Sequence, residues 1–329
     1  MSLNSTLRTI AVTQRATPRS LERRVLNNRY VIEYAIGSGG MSHVLAAKDL
    51  LLDRTVAIKI LRKPNADSAD LERLRREAAA LAAVESPHVV PIFDVGVDGT
   101  EMYLVMQFVR GITLAEEIER FGPMTPVRAC RITRDILAGL CALHRGGLVH
   151  RDLKPANVML DRDDRAVLLD LGIALHRRRR PLTPPGMAAG TPGFMAPEQS
   201  DSGAVDSRTD LYQVGRILQC LLTGVDAEQD LEVALCAVPP ALHSVVRRAL
   251  APIGRRFATS EEMMLALDLA TETRMPEPML AIGSSPGLVA PSNKDLVSAP
   301  QGKRRERARW PALTLEVDRE GDSRDSRDE

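Results

Sequence analysis

The stretch "HRDLKPANVMLDRDDRAVLLDLG", His150 to Gly172, decides how this chain reads. Three oxygen-bearing side chains, Asp152, Asn157 and Asp170, are strung along it. The local pattern predicts a loop over 150–157, a strand Val158–Leu160, an acidic turn Asp161–Asp164 and a second strand Val167–Leu169. If those strands pair, the hairpin brings Asn157, entering one, beside Asp170, leaving the other. Neighbouring carboxylate and amide oxygens at a hairpin mouth suit a hard cation such as Mg2+. Asp and Asn are also ordinary turn residues. Spacing alone leaves both readings open, so the surroundings must decide.

Charge is nearly balanced, with 44 Lys+Arg against 43 Asp+Glu, which argues against bulk nucleic-acid or membrane-surface binding. Aromatic residues make up 3%, so the core must come mostly from Leu, Val, Ala and Ile. The four cysteines, Cys130, Cys141, Cys220 and Cys236, form no C-x-x-C pair and read as reduced core fillers in a cytoplasmic protein. No apolar run reaches a membrane span, and the N-terminus lacks a secretory h-region. Residues 1–28 read as a flexible leader. From 273 to 329 the chain turns rich in Pro, Ser and charge ("KRRERAR", "DREGDSRDSRDE") and reads as a disordered tail.

Between these lies a domain over 29–272, strand-rich up to about 108 and mostly helical after Gly111. "YVIEYAIGSGGMSHVLAAKD" gives two extended runs about a glycine turn, and "TVAIKIL" a third strand. "DSADLERLRREAAALAAV" predicts a helix capped by Asp67 or Ser68, with an apolar stripe at Leu71, Leu74, Ala78 and Leu81. "VVPIFDVGVDGTEMYLVMQFV" returns to strands about Gly99-Thr100. "VRACRITRDILAGLCALHRGG" is a helix stopped at Gly146-Gly147, and "TDLYQVGRILQCLLTG" a helix apolar on most sides, hence buried.

The glycine turn "GSGGMSHV" runs into a strand, not a helix, so a P-loop or dinucleotide fold does not fit and the glycines cap a hairpin. Glycine there lets backbone N–H groups approach phosphate oxygens. Lys59 sits inside the apolar strand "VAIKI", where an ammonium is costly unless paired. Glu77 on the predicted helix is the natural partner. Alternation, with Lys59 facing water and Glu77 solvated, is the competing reading.

Together these stretches resemble the protein kinases, specifically the bacterial eukaryotic-like Ser/Thr kinases, over Tyr30 to Leu269. "GSGGMSHV", "VAIK", "RREAAAL", "YLVMQFVRGITL", "HRDLKPAN", "DLG", "GTPGFMAPEQ", "DLYQVG" and "RRF" occur in the family's order. The resemblance implies an α+β, two-lobed protein kinase fold. Its N-lobe (about 29–108) would be a small antiparallel sheet with one main helix, and its C-lobe (about 109–272) larger and mainly helical. It implies ATP and Mg2+ as cofactors, with Mn2+ as an alternative ion. Ile36, Gly37, Ser38, Gly39 and Gly40 would cover the phosphates. Val44, Ala57 and Met159 would hold adenine, with Met106 as gatekeeper and Gln107 to Val109 as hinge. Lys59, held by Glu77, would contact the α and β phosphates. Asp152 would orient the substrate hydroxyl, Lys154 would neutralise the transferring phosphoryl, and Asn157 and Asp170 would bind the metal.

Substrate class follows from Lys154, two residues after Asp152, and from Thr191, which would bond Asp152 and Lys154. Both imply Ser/Thr acceptors on proteins. Glu198 and Arg256 would form a buried ion pair, and Asp210 would hold the catalytic-loop backbone. His150 would pack in a spine with Leu171 and Leu81. "DLG" replaces the usual D-F-G, "SPHVV" the usual H-P-N-I-V, Ser42 the third glycine, and the connection after "LLTG" is short. None of these changes removes a catalytic group. Arg151 before Asp152 implies activation by loop phosphorylation, with Thr183 as the autophosphorylation site and a kinase dimer as the arrangement for it. The alternatives weighed are a pseudokinase scaffold binding nucleotide and partners, a small-molecule kinase, and a docking role for the tail.

Overall fold

The computed structural model describes residues 24–39, 42–61, 68–170, 193–200, 205–224, 235–236 and 238–272. Asp67, Gly40, Leu171, Thr183 and Thr191, most of the expected leader (1–23) and the expected tail (273–329) lie outside these residues.

The strand-rich part folds into one antiparallel sheet of six strands. In chain order they are β1 (Val25–Leu26), β2 (Tyr30–Gly39), β3 (Ser42–Asp49), β4 (Arg54–Leu61), β5 (Ile92–Asp98) and β6 (Glu101–Gln107). The spatial order is β1-β2-β3-β4-β6-β5. β1 falls within the stretch expected to be a leader: Val25 pairs with Val31, and Leu26 is fully buried. Burying one leucine and closing an edge pair is enough to draw residues 25 and 26 into the sheet.

Alternation sorts this sheet into two faces. Leu45, Ile58, Ile60, Tyr103 and Val105 join Leu26, Tyr30, Ile32, Ala47 and Val56 in a core on one face. The opposite face carries Val44, Ala57, Lys59 and Met106, because Val44 pairs with Lys59 and Ala57 with Met106. α1 (Ser68–Ala82) packs along β5 and buries Asp70, Leu74, Ala78 and Leu81. The predicted stripe is met there, with Leu71 half-buried.

After Gln107 the chain becomes helical. The elements are β7 (Gly111–Thr113), α2 (Leu114–Phe121), α3 (Pro126–Arg145), β8 (Val158–Asp161), β9 (Ala166–Leu168), α4 (Pro197–Ser200), α5 (Ser207–Thr223), α6 (Pro240–Ala249) and α7 (Ser260–Glu272). Local chemistry sets the helix ends. Thr113 and Glu116 form a reciprocal capping box at α2, and Gly122 (φ +71°) ends that helix. Thr125 caps α3 ahead of Pro126, and the helix stops at Gly146 as predicted. α5 starts on the Asp206 cap, ends on left-handed Gly224 and is buried almost all round. α3, α5, α6 and α7 enclose the larger core, with Ile132, Ile136, Leu137, Leu140, Leu211 and Val214 fully buried. Cys130, Cys141 and Cys220 are buried, but Cys236 is exposed, against its reading as a core filler. Burial pushes the Cys130 thiol up to about 11.

The described residues therefore make a two-lobed α+β architecture, as the resemblance implies. Between the lobes runs an apolar seam: Ala57, Val90, Met106 and Val167, with Val44, Ile92, Phe108, Val109, Met159 and Leu169 packed against it.

Candidate active site

The predicted hairpin forms. Val158 pairs with Leu168 and Leu160 with Ala166, and β7 adds on the other side of β8. Two bonds then fix Leu169 beside the loop. Its N–H donates to the Asn157 carbonyl (2.8 Å), and the His150 ring Nε2 bonds its carbonyl (3.0 Å). His150 is fully buried, as a packed residue should be. With Leu169 held at both backbone groups, Asp170 follows in a left-handed turn (φ +51°) at the hairpin mouth.

The loop converges on the same mouth. Asn157 Nδ2 donates to the Asp152 carbonyl (2.7 Å) and to its Oδ2 (3.2 Å). Lys154 Nζ donates to Asp152 Oδ2 at 3.0 Å. Asp152 keeps half its side-chain surface open (52%), so its carboxylate is held yet reachable. Beneath it, Asp210 accepts from the His150 amide (2.9 Å) and the Arg151 amide (2.7 Å), the expected grip on the loop backbone. Arg151 is half-buried at φ +68°.

From the upper lobe, Lys59 reaches into the mouth and forms an ion pair with Asp170. Its side chain is only 13% exposed, which rules out the water-facing reading. The expected holder was Glu77, which lies half-buried on α1; the carboxylate bonded to Lys59 is that of Asp170. Lys59, Asp170, Leu81, Val90, Leu104 and Met106 line one small cavity. Strand register completes the upper wall. Gly37 pairs with Val44, Val44 with Lys59, and Lys59 with Leu104, so a single cross-strand row carries the glycine hairpin to the lysine. The backbones of Ser38 and Gly39 pair with His43 and Ser42, which continues the hairpin beyond that row. Ile36 is exposed beside it, Met106 is buried, Gln107 is exposed and Val109 half-buried.

The donor set fits a hard cation. Asn157 commits its amide nitrogen to Asp152, which leaves Oδ1 as the atom a cation can use, and Asp170 is 36% exposed. Among the described residues no group of three or more His, Cys, Asp or Glu forms a metal cage. Mg2+ commonly binds through one or two protein oxygens completed by phosphate and water, so a sparse set suits it.

Glu198 and Arg256 meet as expected, Nη1 to Oε1 at 2.6 Å and Nη2 to Oε2 at 2.9 Å. Burial pushes the Glu198 carboxyl up, but the hydrogen bonds from Arg256 and Thr209 outweigh it and hold the group below the usual carboxylate range. Two residues given no role from sequence also reach the loop. Gln199 and Gln213 both donate to the Arg151 carbonyl, at 2.7 and 3.1 Å. Gln213 carried a signal, a glutamine inside a helix apolar on most sides, which needs partners once buried; Gln199, in the short polar segment Pro197–Ser200, carried none.

These positions are those of a two-lobed phosphotransferase cleft, and the protein kinase domain family matches the chain over residues 30–232. The chain belongs to that family, in its bacterial eukaryotic-like Ser/Thr branch. The serine/threonine-protein kinase PknL of Mycobacterium tuberculosis is 40% identical over 205 residues, 62% of this chain and 51% of that protein. PrkC of Bacillus subtilis is 34% identical over 258 residues, 72% of this chain and 40% of that protein. PknB of Mycolicibacterium smegmatis is 35% identical over 277 residues, 77% of this chain and 44% of that protein. The chain thus spans about half the length, or less, of these curated relatives. No helix among the described residues is long and apolar enough to cross a membrane.

Proposed function

We propose that this chain is an ATP-dependent serine/threonine protein kinase that transfers a γ-phosphoryl group to Ser and Thr hydroxyls of proteins. The observation that carries the reading is the meeting of Lys59, Asp152, Lys154, Asn157 and Asp170 at one hairpin mouth. Phosphoryl transfer needs little covalent help from a protein; it needs donor and acceptor aligned and charge offset. The row from Gly37 to Lys59 supports a phosphate site under the glycine hairpin. Ala57, Val44, Met159 and Met106 supply apolar surface for adenine, and the backbone of the hinge, Gln107 to Val109, supplies hydrogen bonds. Asp152 orients the incoming hydroxyl, while Lys154, bonded to its carboxylate, offsets charge beside it. Asn157 and Asp170 would hold Mg2+, which would supply neutralisation of phosphate charge there.

Thr183 is the proposed autophosphorylation site. A phosphate there adds about −1.5 to −2 charge and suits Arg151, and a dimer serves the reaction between copies. Reduced cysteines and balanced charge fit a cytoplasmic enzyme acting on proteins, not nucleic acid. The test is transfer of labelled phosphate from γ-labelled ATP to the chain itself and to a Ser/Thr-containing protein. Asp170→Asn should abolish labelling; equal labelling by that variant would refute the reading. Thr183→Ala should lower activity with the site's phosphopeptide lost, and full activity in it would remove Thr183 from the account.

A further inference from the structure

Around Asp152 every flanking peptide group is held, and one side chain holds two of them. Gln213 Oε1 accepts from the Leu153 N–H at 2.9 Å, and its Nε2 donates to the Arg151 carbonyl at 3.1 Å. It therefore grips the peptides on both sides of Asp152. Gln199 adds a second bond to the Arg151 carbonyl (2.7 Å), accepts from the Ala196 N–H (2.9 Å) and accepts from Gln213 Nε2 (3.2 Å). A chain of bonds thus runs from the segment Ala196–Gln199 through two amides to the loop that carries Asp152.

We infer that Gln213 is a positioning residue for Asp152, and that the Gln199–Gln213 pair couples the segment before α4 to the candidate base; this rests on the kinase reading. The Gln213 amide is not what anchors α5, and α4, which Gln199 helps to cap through the Ala196 N–H, has a second anchor. Glu198 already ties α4 to Arg256 and Thr209, and α5 is held by its apolar core. A glutamine 2% exposed inside such a helix is a poor packing choice unless its amide is used. Gln213 uses both ends of its amide on the backbone around Asp152. Asp210, one turn earlier, secures the amides of His150 and Arg151 from the same helix. Asp210 thus fixes the approach to Asp152, and Gln213 fixes the peptides that set its direction.

The test is a set of variants of the full chain: Gln213→Met, Gln199→Met and both together. Methionine keeps the volume and removes the bonds. In Gln213→Met, kcat should fall tenfold or more while KM for MgATP stays within twofold. The double variant should cost little more than Gln213→Met alone. Unchanged kcat in a folded Gln213→Met, a parallel loss of ATP affinity, or additive losses would overturn the coupling. Amide exchange gives a readout that needs no activity. Leu153 should lose at least tenfold protection in Gln213→Met while His150 and Arg151 keep theirs. If the wild type proves inactive but this selective loss appears, the kinase reading fails and the grip stands; if Leu153 stays protected, the grip itself is refuted. Should Gln213→Met not fold, Gln199→Met, half-buried, reads the same kcat-against-KM split.

Discussion

Glu198→Gln isolates the charge of the buried ion pair while keeping its shape. Arg256 is 1% and Glu198 10% exposed at the side chain, so neither has water to fall back on. In the variant the carbonyl oxygen can still accept from Arg256 and Thr209. The new amide NH2 replaces Oε2 and sets donor against donor across the former 2.9 Å contact. Arg256 keeps bonds to the Ala251 and Arg208 carbonyls but loses its counter-charge. Removing one partner of a buried pair costs about 3–5 kcal/mol, and the retained bonds put this case near about 3. For a domain of this size that lowers Tm by about 6–12 °C. The sign with pH follows from the depressed carboxyl. Stability from the charged pair is fully present above the ordinary Glu range and is lost as pH falls through the lower folded value. Calorimetry of both proteins at pH 7 and at pH 3 to 4 is the assay. The gap should be wide at pH 7 and narrow in acid, because protonated Glu198 resembles glutamine. A Tm within about 2 °C of wild type at pH 7, or a gap as wide in acid, would refute the reasoning.

Asp49 makes the same argument in the upper lobe, where Arg29 hydrogen bonds, working against desolvation, bring its carboxyl down to about 2 from 3.8. Asp49→Asn should lose about 2 kcal/mol at pH 7, and the difference should fall to about half by pH 3 in urea titrations. Gly111 lies so close to β8 that an added Cβ would sit 1.8 Å from the Leu160 carbonyl oxygen. Gly111→Ala should therefore push β7 off β8 and cost about 3 kcal/mol by denaturant unfolding.

Much of this was legible because it is written in short-range pattern. The glycine hairpin, the strand holding Lys59, the α1 stripe and the 158–168 hairpin each depend on a period or a turn residue within a few positions. β1 escaped notice because two residues carry no period; only the pocket under the sheet selects Leu26. The partner of Lys59 was open for a related reason. Glu77 and Asp170 are both carboxylates from other elements, and sequence spacing cannot say which one the lysine meets. Gln199 and Gln213 are ordinary in composition, and their role exists only where α4, α5 and the loop converge.

The sequence by itself determined a strand-rich part followed by a helical part, and the motifs it carries implied, through their resemblance to a family, the two lobes and the groups expected at the cleft. Turn residues, apolar periods and the placement of Lys59 in an apolar run are local, and local preferences add up along the chain. Tertiary structure alone decided which oxygen faces which nitrogen: Asp170 on Lys59, Asn157 on Asp152, and two glutamines on the Arg151 carbonyl. Those choices rest on contacts between residues far apart in the chain, where a buried donor takes whichever acceptor the packing brings within about 3 Å.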